Sequence, residues 1–237
     1  MTSRFRLICA DPPWSFADSL TMSEVSRGAS SHYPTLTINA LCELPVERLA
    51  EDVAVLGLWV PSSMLSDGIR VMESWGFRQK QSWIWVKTAP ATGWRGVRDL
   101  LASLALETAL ARLVLRLLRK SGLVPVFTDG SGLAFGMGRL GRNCHEVLLI
   151  GTRGKGVSKL VGSKSERTVF FAPAMPHSKK PEVAQDMLER LIPEGDRLEL
   201  FARRERPNWL CIGNQSPLTP GVDIRDWIAA RLAPRVG

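Results

Sequence analysis

Four consecutive residues, Asp11, Pro12, Pro13 and Trp14, follow directly on the apolar run Phe5–Ala10, and their types suit one demanding reaction. An amine attached to an aromatic ring is a poor nucleophile, because its lone pair is delocalised into the ring. A carboxylate that accepts one amine hydrogen, with a backbone carbonyl that accepts the other, draws the nitrogen towards tetrahedral geometry. The lone pair is then free to take a methyl group. Proline fits the second task because its ring fixes φ and so aims the neighbouring carbonyls. The tryptophan ring beside them can stack on an extruded base. The same tetrapeptide also makes an ordinary turn with its tryptophan anchored in the core. On its own it does not decide between the two, and the rest of the chain must.

The elements around it read as an α/β protein. Phe5–Ala10 is a strand, and two adjacent prolines cannot continue a ladder, so the chain leaves the sheet at Asp11. Residues 15–35, rich in Ser, Gly and Thr, read as a long loop. Val53–Val60 is a buried strand, Ser63–Trp75 an amphipathic helix and Gln81–Lys87 another strand. Further strands are expected at Glu146–Gly151, Thr168–Ala172, Arg197–Ala202 and Trp209–Ile212, with helices at Pro181–Leu191 and Asp223–Leu232. The whole of 1–237 is read as a single domain carrying an inserted helical segment at 89–136. That insertion holds one Leu-rich helix over 98–120, apolar around most of its circumference apart from a stripe at Arg112, Arg116 and Arg119/Lys120. Such a helix covers its own sheet, meets a second copy of the chain as a homodimer, or touches DNA.

Composition narrows the class. The chain has 237 residues, 45% of them apolar, and a formal charge of +8 at a sequence pI of about 9.8. Lysines and arginines in such excess suit a polyanion, whose condensed counterions they displace. Arg153, Lys155, Lys159, Lys164 and Arg167 stand against Glu166 alone in a Gly/Ser-containing run, a candidate for phosphate contact. The four cysteines are scattered, which fits reduced thiols in the cytoplasm rather than a disulfide framework, and no metal site is expected. Met1 leads into a strand-like run without a secretory signal, and the charges in 98–120 argue against a membrane span.

Eight ordered segments then match one family: ADPPWSF (10–16), HYPTLT (32–37), LGLWVPSSML (56–65), WGF (75–77), WIWVKT (83–88), GMGRLGRNCHEVLLIGTRG (136–154), HSKKPE (177–182) and LERLIPEGDRLELFARRERPNWLCIGNQ (188–215). The chain resembles the MTA-seventy family of adenine-N6 methyltransferases. The resemblance implies a Rossmann-like, S-adenosylmethionine-dependent methyltransferase fold with permuted motif order, the catalytic strand first and the cofactor strand late. It implies catalytic roles for Asp11, Pro12, Pro13 and Trp14, and cofactor contacts from Asp11, Lys180, Phe201, Arg203, Asn214 and Gln215. It also implies substrate contacts from Tyr33, Arg142 and Asn143. Lys180 would pair with the methionine carboxylate, and the two amides suit ribose hydroxyls because each offers a donor and an acceptor. His145 and Glu146 fall in a segment close to the family's active site, where Glu146 could equally be structural.

Two departures bear on the substrate. The messenger-RNA branch has Gly where this chain has Ala202, and a His-Asn pair near Glu205-Arg206. Ala202 within FAR is more similar to the bacterial and phage branch, so DNA leads as the partner and RNA is the alternative. A non-catalytic, nucleic-acid-binding subunit of a methyltransferase heterodimer is the third reading. The retained DPPW, FAR and GNQ count against it.

Overall fold

The computed structural model describes residues 4–15, 35–104, 108–123, 125–126, 130, 132–136, 138, 140–175 and 179–234. The chain forms two compact units, Met1–Trp83 with Val147–Thr168 and Ala184–Gly237, and Ile84–Glu146 with Val169–Val183. Seven strands make the sheet: β1 (Phe5–Ala10), β2 (Ala50–Val60), β3 (Arg78–Thr88), β4 (His145–Arg153), β5 (Val169–Pro173), β6 (Arg197–Leu200) and β7 (Leu210–Ile212). Their hydrogen-bonded order is β5-β3-β4-β2-β1-β6-β7.

In the first unit β2, β1, β6 and β7 run parallel, and β4 runs antiparallel to β2. Strand β1 sits in the middle and is buried along nearly its whole length. That is why it reads in sequence as a near-continuous apolar run rather than an alternation. Its register fixes the site: Ala10 lies level with Leu58 on one side and Leu200 on the other, and Leu200 is level with Ile212. Three parallel strands therefore end together, at the carboxyl edge where α/β sheets hold ligands.

Large aromatic side chains fill the core beside these strands. Trp59 and Trp75 are both at or below 2% exposure, and the Trp75 indole N–H donates to the Leu41 carbonyl at 2.7 Å. Helix α1 (Ile38–Cys42) supplies that carbonyl, capped by the Thr37 hydroxyl, which accepts from the Ala40 N–H. No helix is expected there from the sequence, because five residues are too few to show a period. The single 63–75 element resolves into a 3-10 turn, Ser62–Met64, and helix α2 (Leu65–Ser74). Gly68 of α2 is needed for that packing, since a Cβ there would lie 2.6 Å from Val60.

In the second unit β3 and β5 pair in parallel from Ile84↔Val169 to Thr88↔Pro173. The Trp85 indole N–H donates to the Ala172 carbonyl at 3.0 Å and locks that pair. The expected 98–120 helix is corrected here: two helices replace it, α3 (Pro90–Ser103) and α4 (Thr108–Lys120). Pro90 opens α3, where its missing N–H costs nothing. At the other end the Ser103 hydroxyl donates back to the Leu100 carbonyl, competing with the backbone for that acceptor. The remaining helices are α5 (Glu182–Leu191) and α6 (Ile224–Leu232), the latter capped by the Asp223 carboxylate on the Arg225 N–H. Among the described residues, no helix is long and apolar enough to cross a membrane.

Candidate active site

Asp11 is the first residue past β1, and its N–H still reaches the Leu200 carbonyl at 3.4 Å. The backbone thus pins this carboxylate to the end of β6. Its Oδ2 stands 3.9 Å from Nη2 of Arg203, with the two side chains 16% and 21% exposed. That separation exceeds hydrogen-bonding distance, so the attraction between these two groups is coulombic.

Strand β6 stops at Leu200, one or two residues before the sequence suggests, because Phe201 adopts a left-handed φ of 63°. A bulky residue there is strained, and such strain gathers at ligand clamps. The turn holding Phe201 persists because Ala202 N–H donates to the Ile212 carbonyl at 2.9 Å. Gly213 permits the approach: a Cβ on it would lie 2.3 Å from the Ala202 oxygen and 2.5 Å from its nitrogen. Asn214 and Gln215 then project from a turn that is tied down on both sides. Thr219 Oγ1 exchanges bonds with the Gly213 N–H and carbonyl, and Gly221 N–H donates to the Asn214 carbonyl at 2.8 Å. Both amide side chains are exposed. Asp11, Phe201, Arg203, Asn214 and Gln215 therefore gather at the ends of three adjacent strands.

The tetrapeptide itself is tied down at both its ring and its carbonyls. Trp14 is only 4% exposed, and its indole N–H donates to the Trp59 carbonyl at 2.9 Å, so the ring anchors the turn. The carbonyls of Pro12 and Pro13 each already accept one bond, from Trp14 N–H and Leu36 N–H, both at 2.9 Å. A carbonyl has two lone pairs, so each keeps one acceptor position. Tyr33 lies outside the described residues.

Behind Asp11, Glu199 of β6 is half-buried and accepts from Gln185 Nε2 at 2.8 Å. Burial pushes its carboxyl above the usual range, and the nearby Asp11 carboxylate adds to the push against opposing hydrogen bonds from Gln185 and Cys211. The Cys211 thiol, itself pushed up to about 11 mainly by burial, is a neutral neighbour.

In the second unit, Glu146 stands between two lysines. Lys87 Nζ lies 2.5 Å from Oε1 and Lys180 Nζ 3.3 Å from Oε2, with all three side chains less than a quarter exposed. Burial opposes ionisation of Glu146, but Lys180 and Lys87 outweigh it and hold its carboxyl below the usual range. Lys87 has no role in the sequence reading. Its signal was a cation closing the otherwise aromatic and apolar run WIWV. Lys87 also lies 4.9 Å from the Trp85 ring centroid. Arg142 is exposed, and its guanidinium lies 4.4 Å from the Phe135 ring centroid. Asn143 Oδ1 accepts from the His145 N–H at 3.4 Å, so this side chain braces the start of β4.

The basic run 153–167 falls elsewhere. Because β4 is antiparallel to β2, with Arg153 beside Ala54, the run leaves the sheet at the edge opposite Asp11. Arg153 is also spent on the Glu47 carbonyl, and Glu166 pairs with Arg190.

A mixed seven-stranded sheet in which the first strand of the chain lies beside a late one is the α/β fold of S-adenosylmethionine-dependent methyltransferases, with permuted order. The family model for MT-A70 matches residues 5–100 and 94–215. The chain belongs to the MT-A70 family, a family of methyltransferases that take their methyl group from S-adenosylmethionine. It is 25% identical over 221 residues to the Type II methyltransferase M.MunI of Mycoplasma sp, covering 87% of this chain and 75% of that one. It is 27% identical over 220 residues to a probable N(6)-adenosine-methyltransferase MT-A70-like protein of Oryza sativa subsp. japonica, covering 90% and 23%. With the N(6)-adenosine-methyltransferase catalytic subunit METTL3 of Homo sapiens the identity is 26% over 220 residues, covering 90% and 28%. The chain thus spans about a quarter of the length of these eukaryotic relatives.

Proposed function

We propose that the chain transfers a methyl group from S-adenosylmethionine to the N6 amine of adenine in DNA. The observation that carries this reading is the level ending of β1, β6 and β7, which gathers Asp11, Phe201, Arg203, Asn214 and Gln215. The donor set at these strand ends suits the cofactor, with amides for ribose hydroxyls and an apolar ring beside them; Lys180 is assigned to the methionine carboxylate by the family resemblance alone. When bound, the cofactor supplies an electrophilic methyl group on a sulfonium. Asp11 accepts one hydrogen of the amine, and the free lone pair of the Pro12 or Pro13 carbonyl accepts the other. Trp14 keeps those carbonyls aimed. Positioning of this kind is worth roughly 7–11 kcal/mol in well-oriented systems, and no metal or nucleophilic side chain is required. In a duplex the adenine must first be flipped out, at a cost of a few kcal/mol; Tyr33 is assigned to the base, and Arg142 and Asn143 to the substrate strand. Asn143 supports Arg142 through the loop they share.

DNA is favoured over RNA by Ala202 within FAR and by the similarity to a bacterial-type II methyltransferase. The relatives named as adenosine methyltransferases support RNA as the second reading. Labelled methyl transfer to matched DNA and RNA oligonucleotides decides between them. Incorporation into DNA adenine is expected, and incorporation into RNA alone would overturn the choice.

We assign residues 1–237 to one methyltransferase domain, with 89–136 as its insertion and a second copy of the chain as its partner. Leu110, Leu113 and Leu117 of α4, at i, i+3 and i+7, are 46–58% exposed and support that pairing. Leu113→Asp with Leu117→Asp is expected to lower the sedimentation coefficient to that of a single chain. A wild-type protein that already sediments as one chain excludes the pairing.

A further inference from the structure

Phe135 is 79% exposed, well beyond Phe171 at 51% among the described residues. It is not a stray ring on a loose segment. Ala134 N–H donates to the Lys87 carbonyl at 2.8 Å, and Lys87 N–H donates to the Cys144 carbonyl at 2.8 Å. One residue of β3 therefore holds both ends of the 134–144 stretch. The glycines inside it are there for close backbone approach: a Cβ on Gly136 would lie 2.1 Å from the Asn143 oxygen, and one on Gly138 would lie 2.0 Å from the Gly141 oxygen. Across this closed loop the Arg142 guanidinium lies 4.4 Å from the Phe135 ring centroid. Residues 134–144 contain Arg139 and Arg142 and no Asp or Glu.

An aromatic ring left in water on a purely basic loop, with a guanidinium backing it, has the two properties that single-stranded nucleic acid binds. The charge attracts the phosphates, and the ring offers a π-face that any base can stack on. We propose that Phe135, held by Arg142, is a stacking platform for an unpaired nucleobase of the substrate strand. Arg142 supplies the positive charge behind the ring, while the exposed face takes the base. This rests on the reading of a nucleic-acid substrate. It adds a contact to a nucleotide other than the methylated adenine, and so a source of strand or context preference.

The test uses the full chain and single-stranded DNA and RNA oligonucleotides of one adenine-containing sequence. A 2-aminopurine is placed in turn at each neighbour of the target, and affinity, fluorescence quenching and methyl transfer are read. Phe135→Ala is expected to weaken binding of the methylated oligonucleotide about 10-fold, within the roughly 5- to 150-fold range of one lost stack. It should abolish quenching at one 2-aminopurine position and raise the oligonucleotide KM by the same factor, with cofactor affinity unchanged. Phe135→Trp restores affinity, because a larger ring stacks equally well. Arg142→Ala lowers the slope of log affinity against log salt by about 1. Wild-type binding and methylation with an unaltered Phe135→Ala variant overturn the platform and leave the methyltransferase reading standing. A variant that changes sedimentation but not oligonucleotide affinity also overturns it, in favour of a protein contact. If the wild type neither binds nor methylates either oligonucleotide, both readings fall.

Discussion

Asp11→Ala is expected to lower methyl transfer by about 10²–10⁴-fold, the range for removing a group that handles the reacting proton-bearing atom. The fold should survive. The bonds that hold this residue in place run through its backbone, from its N–H to the Leu200 carbonyl and through the pairing of Ala10 with Leu58 and Leu200. The side chain is partly exposed and faces Arg203 across 3.9 Å, so stability should move by no more than about 0.5–1 kcal/mol. Asp11→Asn separates two contributions. The amide keeps an oxygen that can accept from the adenine amine but loses the negative charge. An intermediate rate for Asn therefore indicates that hydrogen bonding polarises the amine, and a rate as low as that of Ala indicates that the charge is required. The measurement is single-turnover transfer at saturating cofactor and oligonucleotide, with the melting temperature as the control for folding. Full activity in the alanine variant would remove the DPPW turn from the chemistry.

Where this carboxylate stands was legible from the sequence because three local signals agreed. An apolar run ended at Ala10, two prolines forbade its continuation, and a second short strand, from Arg197, was followed by polar residues with ligand-binding types. Strand ends are set by backbone chemistry, and backbone chemistry is local. What stayed hidden depended on contacts distant in sequence. That Trp14 anchors the turn is visible only once the carbonyl of Trp59, 45 residues away, is seen to take its indole N–H. The 98–120 stretch keeps helical periodicity through Leu104, so no apolar pattern marks the break after Ser103. The basic run 153–167 leaves the sheet at the edge opposite Asp11, a placement set by the antiparallel pairing of β4 with β2 and not visible in its own residues. Phe135 sits among glycines, and only the closed loop that those glycines permit reveals that its ring is held out and backed by Arg142.

Glu146 is where charge and stability are most tightly joined. Removing it leaves Lys87 and Lys180, both more than three-quarters buried, facing each other without the carboxylate that separates them. Breaking one partner of a buried pair typically costs about 3–5 kcal/mol. Partial exposure reduces that, so Glu146→Ala is expected to cost about 2–4 kcal/mol at neutral pH. The pH dependence has a definite sign. Burial raises the carboxyl and the two lysines lower it by more, so its folded-state value lies below the unfolded one. The unfolded chain then binds more protons through the acid range, and stability falls as pH drops. The contribution is complete above the ordinary carboxylate value and disappears as pH falls through the depressed one. Glu146→Gln should accordingly flatten the acid limb of a plot of unfolding free energy against pH, measured by urea denaturation from neutrality into the acid range. The same substitution separates a structural from a positioning role. If Glu146 aims Lys180 at a carboxylate of the cofactor, Glu146→Gln raises the cofactor KM with kcat nearly unchanged, Glu146→Asp restores part of the loss, and Lys180→Ala raises the cofactor dissociation constant about 10-fold. A variant that loses stability but binds cofactor as tightly as the wild type would leave Glu146 as a brace for β3 and β4 and remove Lys180 from the cofactor site.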